Sequence, residues 1–565
     1  MLVLCNPATL QLFTFDDYAI HETESVNFIK SGRQWFGELF DNISSYNFSF
    51  SFPNIVTSSP VKVKVALASR LVQSGSSSNA SYSITSGSGS SSLSIPSVDG
   101  SVYSDYARIA STCYTYNPAS SVVTVNVTKQ TANAQAWLDY IVVNARRNLI
   151  MSGSQMHFRD AHSIGAGNVA QYNLASNSFI QVWDFEMLQM YPIKFFQFLE
   201  PTISFQCLPI QLKEYFGFSG ASYLSPSKLG KNRNQDLHGI AQKDYIIVTH
   251  PDFYDEAVRL ALYHENADTL STVVVTPQQI YNEFSSGSRD ISAIRNFVKM
   301  FYDRAATASE RPKYLLLMGD GSFENKKNYL GNTNFIPTYQ SYNSTILTQS
   351  YVSDDYFGLL DDDEGLFGSD AVDIGVGRFP VKSKSEAVAC VNKVLDYTRT
   401  GFDYTAISNA CTSGLASSSP FGDWRNVITF VGDDEDGGLH QKDADKLATL
   451  VDTSYNNYNI DKIYLDAFVQ ESTPGGQRFP AAKEAINKRM EKGCLIWNYT
   501  GHGGELGLAH ERVVEVADVN NWTNINNLLL VFTATCEFTH YDDPERTSAR
   551  RDGVFKSLRW WNCNV

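Results

Sequence analysis

The sequence predicts an α/β protein preceded by a β-rich region, and three observations carry that prediction. Up to about residue 235, apolar and polar residues alternate, the period of half-exposed strands. From His238 onward, short continuous apolar runs alternate with segments of helical spacing, the pattern of a parallel sheet covered by helices. That alternation runs through twice, on either side of the loop "GLASSSPFGD", which predicts two α/β subdomains. The expected boundaries are 1–235 (β-rich), 236–415 and 416–549 (α/β), with 550–565 set apart.

In the first region "YNFSFSF", "VKVKVALAS" and "SVVTVNVTK" are predicted strands. The stretch from Ser74 to Ser101 reads as a long Ser/Gly loop in a sandwich-like domain. The first α/β run is strand "YIIVT", helix "YDEAVRLALYHE", strand "STVVVTP", helix "DISAIRNFVKMFYDRA", strand "YLLLM", strand "VDIGVGRF" and helix "KSEAVACVNKVLDYTR". The second is "NVITFVGDD", helix "QKDADKLATLVDTS", strand "KIYLDAF", helix "PAAKEAINKRMEK", then strands "CLIWNYT" and "LLLVFTAT". No repeat of fixed period appears.

With 565 residues, several domains are expected. A net charge of −15 argues against non-specific nucleic-acid binding, which needs clustered Lys and Arg. No apolar run approaches the ~20 residues that span a bilayer. The first residues, "MLVLCNPATLQLFTFDD", lack the basic segment and cleavage site of a signal peptide, so the protein is cytosolic or the chain begins inside a longer one. Eight scattered cysteines form no CxxC pair and no zinc spacing, so each is either core or reactive.

Sites in open α/β sheets gather at the carboxyl ends of strands. "CLIWNYTGHGGE" ends its strand at His502 between glycines, and "LLLVFTATCE" ends its strand at Cys536. Each alone has a bland reading, a tight turn and a small core residue. Together on successive strand ends they favour a nucleophile and its base, the imidazole taking the thiol proton. The backbone N–H groups of Gly503 and Cys536 would then form an oxyanion hole, and a carboxylate would orient the imidazole.

The motifs "YTGHGGE", "TATCEFTHYDDPERTSA", "YLLLMGDGSF", "SDDYFGLLDDDEG" and "DIGVGRFPV", with "SGRQWFGELF" near the start, resemble the gingipain-type cysteine peptidases, family C25, over about residues 20–549. Within that family they are most similar to the sortases of the type IX secretion system of Bacteroidetes. The resemblance implies a caspase-like fold, with Cys536 as nucleophile, His502 as base and Asp373 orienting the histidine; Glu505 is the nearer carboxylate in sequence. It implies an exported protein of the outer membrane or cell surface that works with other type IX components. Its reaction would remove C-terminal sorting domains from secreted cargo through a Cys thioester, resolved by water or by an amine of lipopolysaccharide. A surface scaffold or adhesion component that no longer cuts is the alternative, and an ordinary secreted hydrolase is a third reading.

The chemistry requires no cofactor. Structural Ca²⁺, which gingipains bind, would suit the oxygen-rich loops with Asp361, Asp362 and Asp363 ("DDDEG") and Asp433, Asp434 and Asp436 ("VGDDEDGG"). Neither has full EF-hand spacing, and a solvated acidic turn is the competing reading. His250, His510 and His540 read as ordinary polar residues.

After Ala549 the resemblance stops, and the chain reads "RRDGVFKSLRWWNCNV". Trp560 and Trp561 have only the codon TGG, and TGG TGG AAY read one nucleotide on gives two glycines. With synonymous choices the same nucleotides can spell "GEMVFLNPSGGGIAML", the kind of segment the family places there. A one-nucleotide insertion after the Ala549 codon is therefore expected, leaving 550–565 off-frame and the catalytic domain without its last strands. The lack of signal-peptide features in the first residues makes loss at that end expected too, and such a fragment need not be active.

Overall fold

The computed structural model describes residues 7–73, 78–101, 103–177, 180–185, 196–198, 202–207, 211–219, 225–228, 230–326, 331–365, 370–398, 422–524, 527–536, 538, 540–544 and 561–563. The chain divides into two units, Met1–Asn232 with Ser341–Tyr351, and Arg233–Gln340 with Val352–Val565.

The first unit is a β-sandwich. Val61, Val63, Val65 and Leu67 of strand Val61–Arg70 alternate inward, because successive side chains of a strand point to opposite faces. They share a core with Phe48 and Phe50 of Ser45–Ser51 and with Val123, Val125 and Val127 of Val122–Lys129, strands of the facing sheet. The Ser-rich stretch expected as a loop is instead a hairpin, Asn79–Ser86 paired with Gly89–Pro96. Its Ala80, Tyr82, Ile84, Leu93 and Ile95 point inward while most of its serines face out. Its two-residue turn begins with Gly87 at φ +55°, as such hairpin turns require. Composition had hidden a period of two.

The second unit holds two parallel sheets. The first takes β1 (Tyr245–Thr249), β2 (Thr272–Val275), β3 (Tyr314–Met318) and β4 (Gly375–Phe379) in the order β2-β1-β3-β4. Between them run α1 (Tyr254–Ala267), α2 (Pro277–Phe284) and α3 (Ile291–Asp303), and α4 (Lys384–Tyr397) follows. The start of α2 is fixed locally: Pro277 stands at its first position, and Thr276 and Gln279 cap it reciprocally. Ile294, Phe297, Val298 and Phe301 of α3 recur at helical spacing and pack on Ile246, Val248, Leu315 and Leu317.

The second sheet takes β5 (Val427–Gly432), β6 (Asn459–Tyr464), β7 (Ile496–Thr500), β8 (Leu530–Ala534) and β9 (Trp561–Cys563) in the order β6-β5-β7-β8-β9, all parallel. Helices α5 (Glu435–Ser454) and α6 (Pro480–Lys492) make the crossovers. Val431, Ile463, Trp497, Tyr499 and Val531 form its core with Ile486 and Met490 of α6. The β7–β8 connection has only a three-stranded turn of residue pairs and the short α7 (Val516–Asn521). Of the tail expected to be off-frame, 550–560 and 564–565 lie outside the described residues, as does most of the loop 414–423. No helix among the described residues is long and apolar enough to cross a membrane.

Candidate active site

Register brings the site together. Thr500 is flanked by Gly432 on one side and Ala534 on the other, at the carboxyl ends of β7, β5 and β8. The chain leaves these three ends as Asp433-Asp434, Gly501-His502 and Thr535-Cys536. The ladder extends one step further: Asp433 N–H donates to the Thr500 carbonyl at 3.1 Å and Gly501 N–H to the Ala534 carbonyl at 3.3 Å.

His502 is fixed at its backbone. Its N–H donates to Asp433 Oδ2 at 2.9 Å, and its carbonyl accepts from the Tyr499 hydroxyl at 2.6 Å and the Ala509 N–H at 2.8 Å. Its ring is exposed, with Nε2 at 2.9 Å from Asp436 Oδ2. That contact holds the Asp436 carboxyl below the usual carboxylate range. It also leaves Nδ1 as the ring nitrogen for a thiol. Asp436 reaches the imidazole because the chain kinks inside α5, where Asp436, Gly437 and Gly438 take φ of +56°, +65° and +75°. Such left-handed backbone is easy for Gly and commoner for Asp than for most other residues. The same oxygen of Asp436 lies 3.2 Å from His440 Nε2.

Cys536 is exposed, unlike Cys390 and Cys494, whose thiols burial pushes up to about 12. The turns that carry His502 and Cys536 touch. A Cβ added to Gly503 would come within 2.3 Å of Thr535 Oγ1 and 3.3 Å of the Cys536 carbonyl, so only glycine fits. The Phe538 N–H closes a tight turn onto that carbonyl at 2.7 Å.

The structure does not bring Asp373 to His502. Its oxygens accept from the Tyr302 hydroxyl at 2.9 Å and the Leu360 N–H at 2.8 Å. It precedes β4 and so stands at the amino ends of its sheet, whereas His502 follows β7. Glu505 is also elsewhere, 3.4 Å from His540 Nδ1. His540 in turn sits 2.5 Å from the buried Asp542, so it has partners the sequence did not reveal. His250 is likewise engaged, accepting from the Asp252 N–H.

Of the two acidic loops, the first is tied up: Asp361 accepts from Tyr302, and Asp362 pairs with Lys299 at 3.0 Å. Asp363 is exposed. The second is different. Asp433 and Asp434 converge with Glu511, which the sequence reading had not picked out, and one oxygen of each lies within 4.8 Å of the others. Asp433 is 0% and Glu511 1% exposed. Burial first, then Glu511 and Asp433, push the Asp434 carboxyl up to about 6; burial first, then Asp433 and Glu435, raise Glu511.

The sequence model of peptidase family C25 matches residues 240–557, past Ala549. The crystal structure of dimeric latent PorU from Porphyromonas gingivalis is similar, at 27% identity and a TM-score of 0.59, over 69% of this chain and 38% of that one. The chain thus spans less than two fifths of that protein. A complex of the pro- and mature domains of RgpB from Porphyromonas gingivalis aligns at 18% identity and a TM-score of 0.39, over 56% of this chain and 61% of that one. Among curated proteins none matches.

Proposed function

The chain belongs to peptidase family C25, a family of cysteine peptidases, and on that premise we propose that it is an endopeptidase working through Cys536 and His502. The observation that carries this is the in-register delivery of both residues from neighbouring strand ends, with a carboxylate on the imidazole. His502 takes the proton from the Cys536 thiol, and the sulfur attacks the scissile carbonyl carbon. The developing oxyanion is met by backbone N–H groups of the Gly503 and Cys536 turns. The C–N bond breaks, and the imidazolium returns the proton to the leaving amine. A thioester remains for water or a second amine to resolve. Asp436, rather than Asp373, is the residue that sets the imidazole.

The finer reading is a sortase of the type IX secretion system, exported to the cell surface. It would cut C-terminal sorting domains from cargo, in concert with other components of that system, and pass some cargo to an amine of lipopolysaccharide. The ordered motifs and the 27% identity to PorU support it. The test incubates the chain with cargo that carries a sorting domain, with and without an added amine, and reads products by mass spectrometry. Cleavage at the domain junction, with amine incorporated at the new carboxyl end, is expected. Indifference to the sorting domain would leave a general peptidase. No cleavage, with Cys536 no more reactive than Cys113, would leave the scaffold reading.

A further inference from the structure

We propose that His440 is a positioning residue: it anchors the Asp436 carboxylate from α5, and the anchored carboxylate holds the His502 imidazole ready for Cys536. The consequence for catalysis rests on the peptidase reading; the anchor itself rests on geometry alone.

The need for an anchor comes first. Asp436 stands on the left-handed segment, followed by Gly437 and Gly438, and its side chain is 55% exposed. The His502 side chain is 53% exposed. A contact between two exposed side chains is weak, because water screens it and both lose freedom in making it. Such a pair holds one geometry only when one member is tied to the fold by something else.

His440 is that tie. Its side chain is only 19% exposed, and it follows the bend, in the regular turns of α5. Its Nε2 meets the Asp436 oxygen that His502 also meets. The two rings stand edge to face, with centroids 4.9 Å apart and planes at 83°. Among the described residues the Asp436 side chain has no third hydrogen-bond partner. One carboxylate oxygen has lone pairs for two N–H donors, so each imidazole can present its Nε2–H there. The two contacts, that of His502 first, keep the carboxyl below the usual range and so ionised as an acceptor.

The plain alternative is an i,i+4 pair of the kind that decorates helix surfaces. His264 and Asp268 at the end of α1, 2.6 Å apart, are such a pair. Asp436 and His440 are not joined by a helical repeat, because Asp436, Gly437 and Gly438 are all left-handed. The bend makes their contact, and makes it beside the base.

The experiment takes the full chain with His440→Ala, His440→Gln and His264→Ala. His440→Ala is expected to lower kcat about tenfold in peptide hydrolysis with KM little changed, and to slow iodoacetamide labelling of Cys536 by a similar factor. His440→Gln, which keeps an N–H donor of similar reach, should restore most of both rates, and His264→Ala should leave them unchanged. In an Asp436→Asn background His440→Ala should have no further effect, since it acts through that carboxylate. Unchanged kcat in His440→Ala, a full second loss in the Asp436→Asn background, or His440→Gln no better than His440→Ala overturns the proposal. A readout free of turnover is the ring Nε2–H proton of His502 in the Cys536→Ala chain, followed by NMR and assigned with His502→Gln. Held on the carboxylate it exchanges slowly, so its signal is expected in that chain and lost when His440→Ala is added. Its absence from the first, or its persistence in the second, overturns the anchor. A chain inert to peptide and to iodoacetamide at Cys536 removes the peptidase reading, and the N–H signal then decides the anchor by itself.

Discussion

The two parallel sheets of the second unit share their construction and differ at their carboxyl ends. The β2-β1-β3-β4 sheet ends in groups that have counterions. Asp320 lies 3.1 Å from Lys382, and the buried Arg378 is matched by Asp354 at 2.7 Å and by the Gly319 and Ile336 carbonyls. The β6-β5-β7-β8-β9 sheet ends in three carboxylates, Asp433, Asp434 and Glu511, that each keep one buried oxygen without a donor among the described residues, beside an exposed imidazole on Asp436, an exposed thiol and a left-handed kink. Charge paired within the fold holds the fold. Charge left unpaired, with strained backbone beside it, marks the edge kept for other molecules.

That contrast breaks or stands on six substitutions. Cys536→Ala should abolish peptide cleavage, and His502→Ala should lower kcat by about 10²–10⁴-fold, read in a hydrolysis assay; residual activity near wild type in either would remove the second sheet from the chemistry. Arg378→Ala should cost about 3–5 kcal/mol in chemical denaturation, because it strands Asp354 and the Gly319 carbonyl while touching no reacting group. Asp436→Asn should reduce kcat by about 10²-fold, near 2.7 kcal/mol of transition-state stabilisation, with KM little changed. Asp373→Asn, by contrast, should alter melting and spare kcat; the reverse pattern would return the histidine's partner to Asp373. Smallest, and opposite in sign to Arg378→Ala, Glu511→Gln should stabilise the chain by about 1 kcal/mol in chemical denaturation, since it removes one of three repelling carboxylates.

Thiol mapping sharpens the same contrast without an activity assay. Below pH 9, Cys390 and Cys494 stay protonated and buried, so an alkylating reagent should pass them by. Cys536 should label faster than Cys113, which is also exposed, and only Cys536 should slow in His502→Ala.

The strands and helices of the second unit were legible because β1, β3 and β7 are short apolar runs and α3 repeats its apolar residues at helical spacing. The placement of His502 and Cys536 just past strand ends was legible for the same reason, each following such a run. Asp436 was read as a cation ligand, because its contact with His502 depends on a kink that no periodicity encodes. Glu511 was invisible, since it arrives on the irregular β7–β8 connection. Asp373 misled through motif likeness, although its place before β4 puts it at the amino edge.

The backbone of His502 is pinned on both sides, by Asp433, Tyr499 and Ala509, while its ring stands in solvent. Only the two side-chain torsions remain for it to turn on. Its carboxylate partner arrives by contrast on a glycine-rich bend. The imidazole is thus a pivot set in the scaffold, and the acid is a detachable fitting. A lineage that shortened or rebuilt the Asp433–Gly438 bend could bring in a carboxylate from another loop and keep the same pivot.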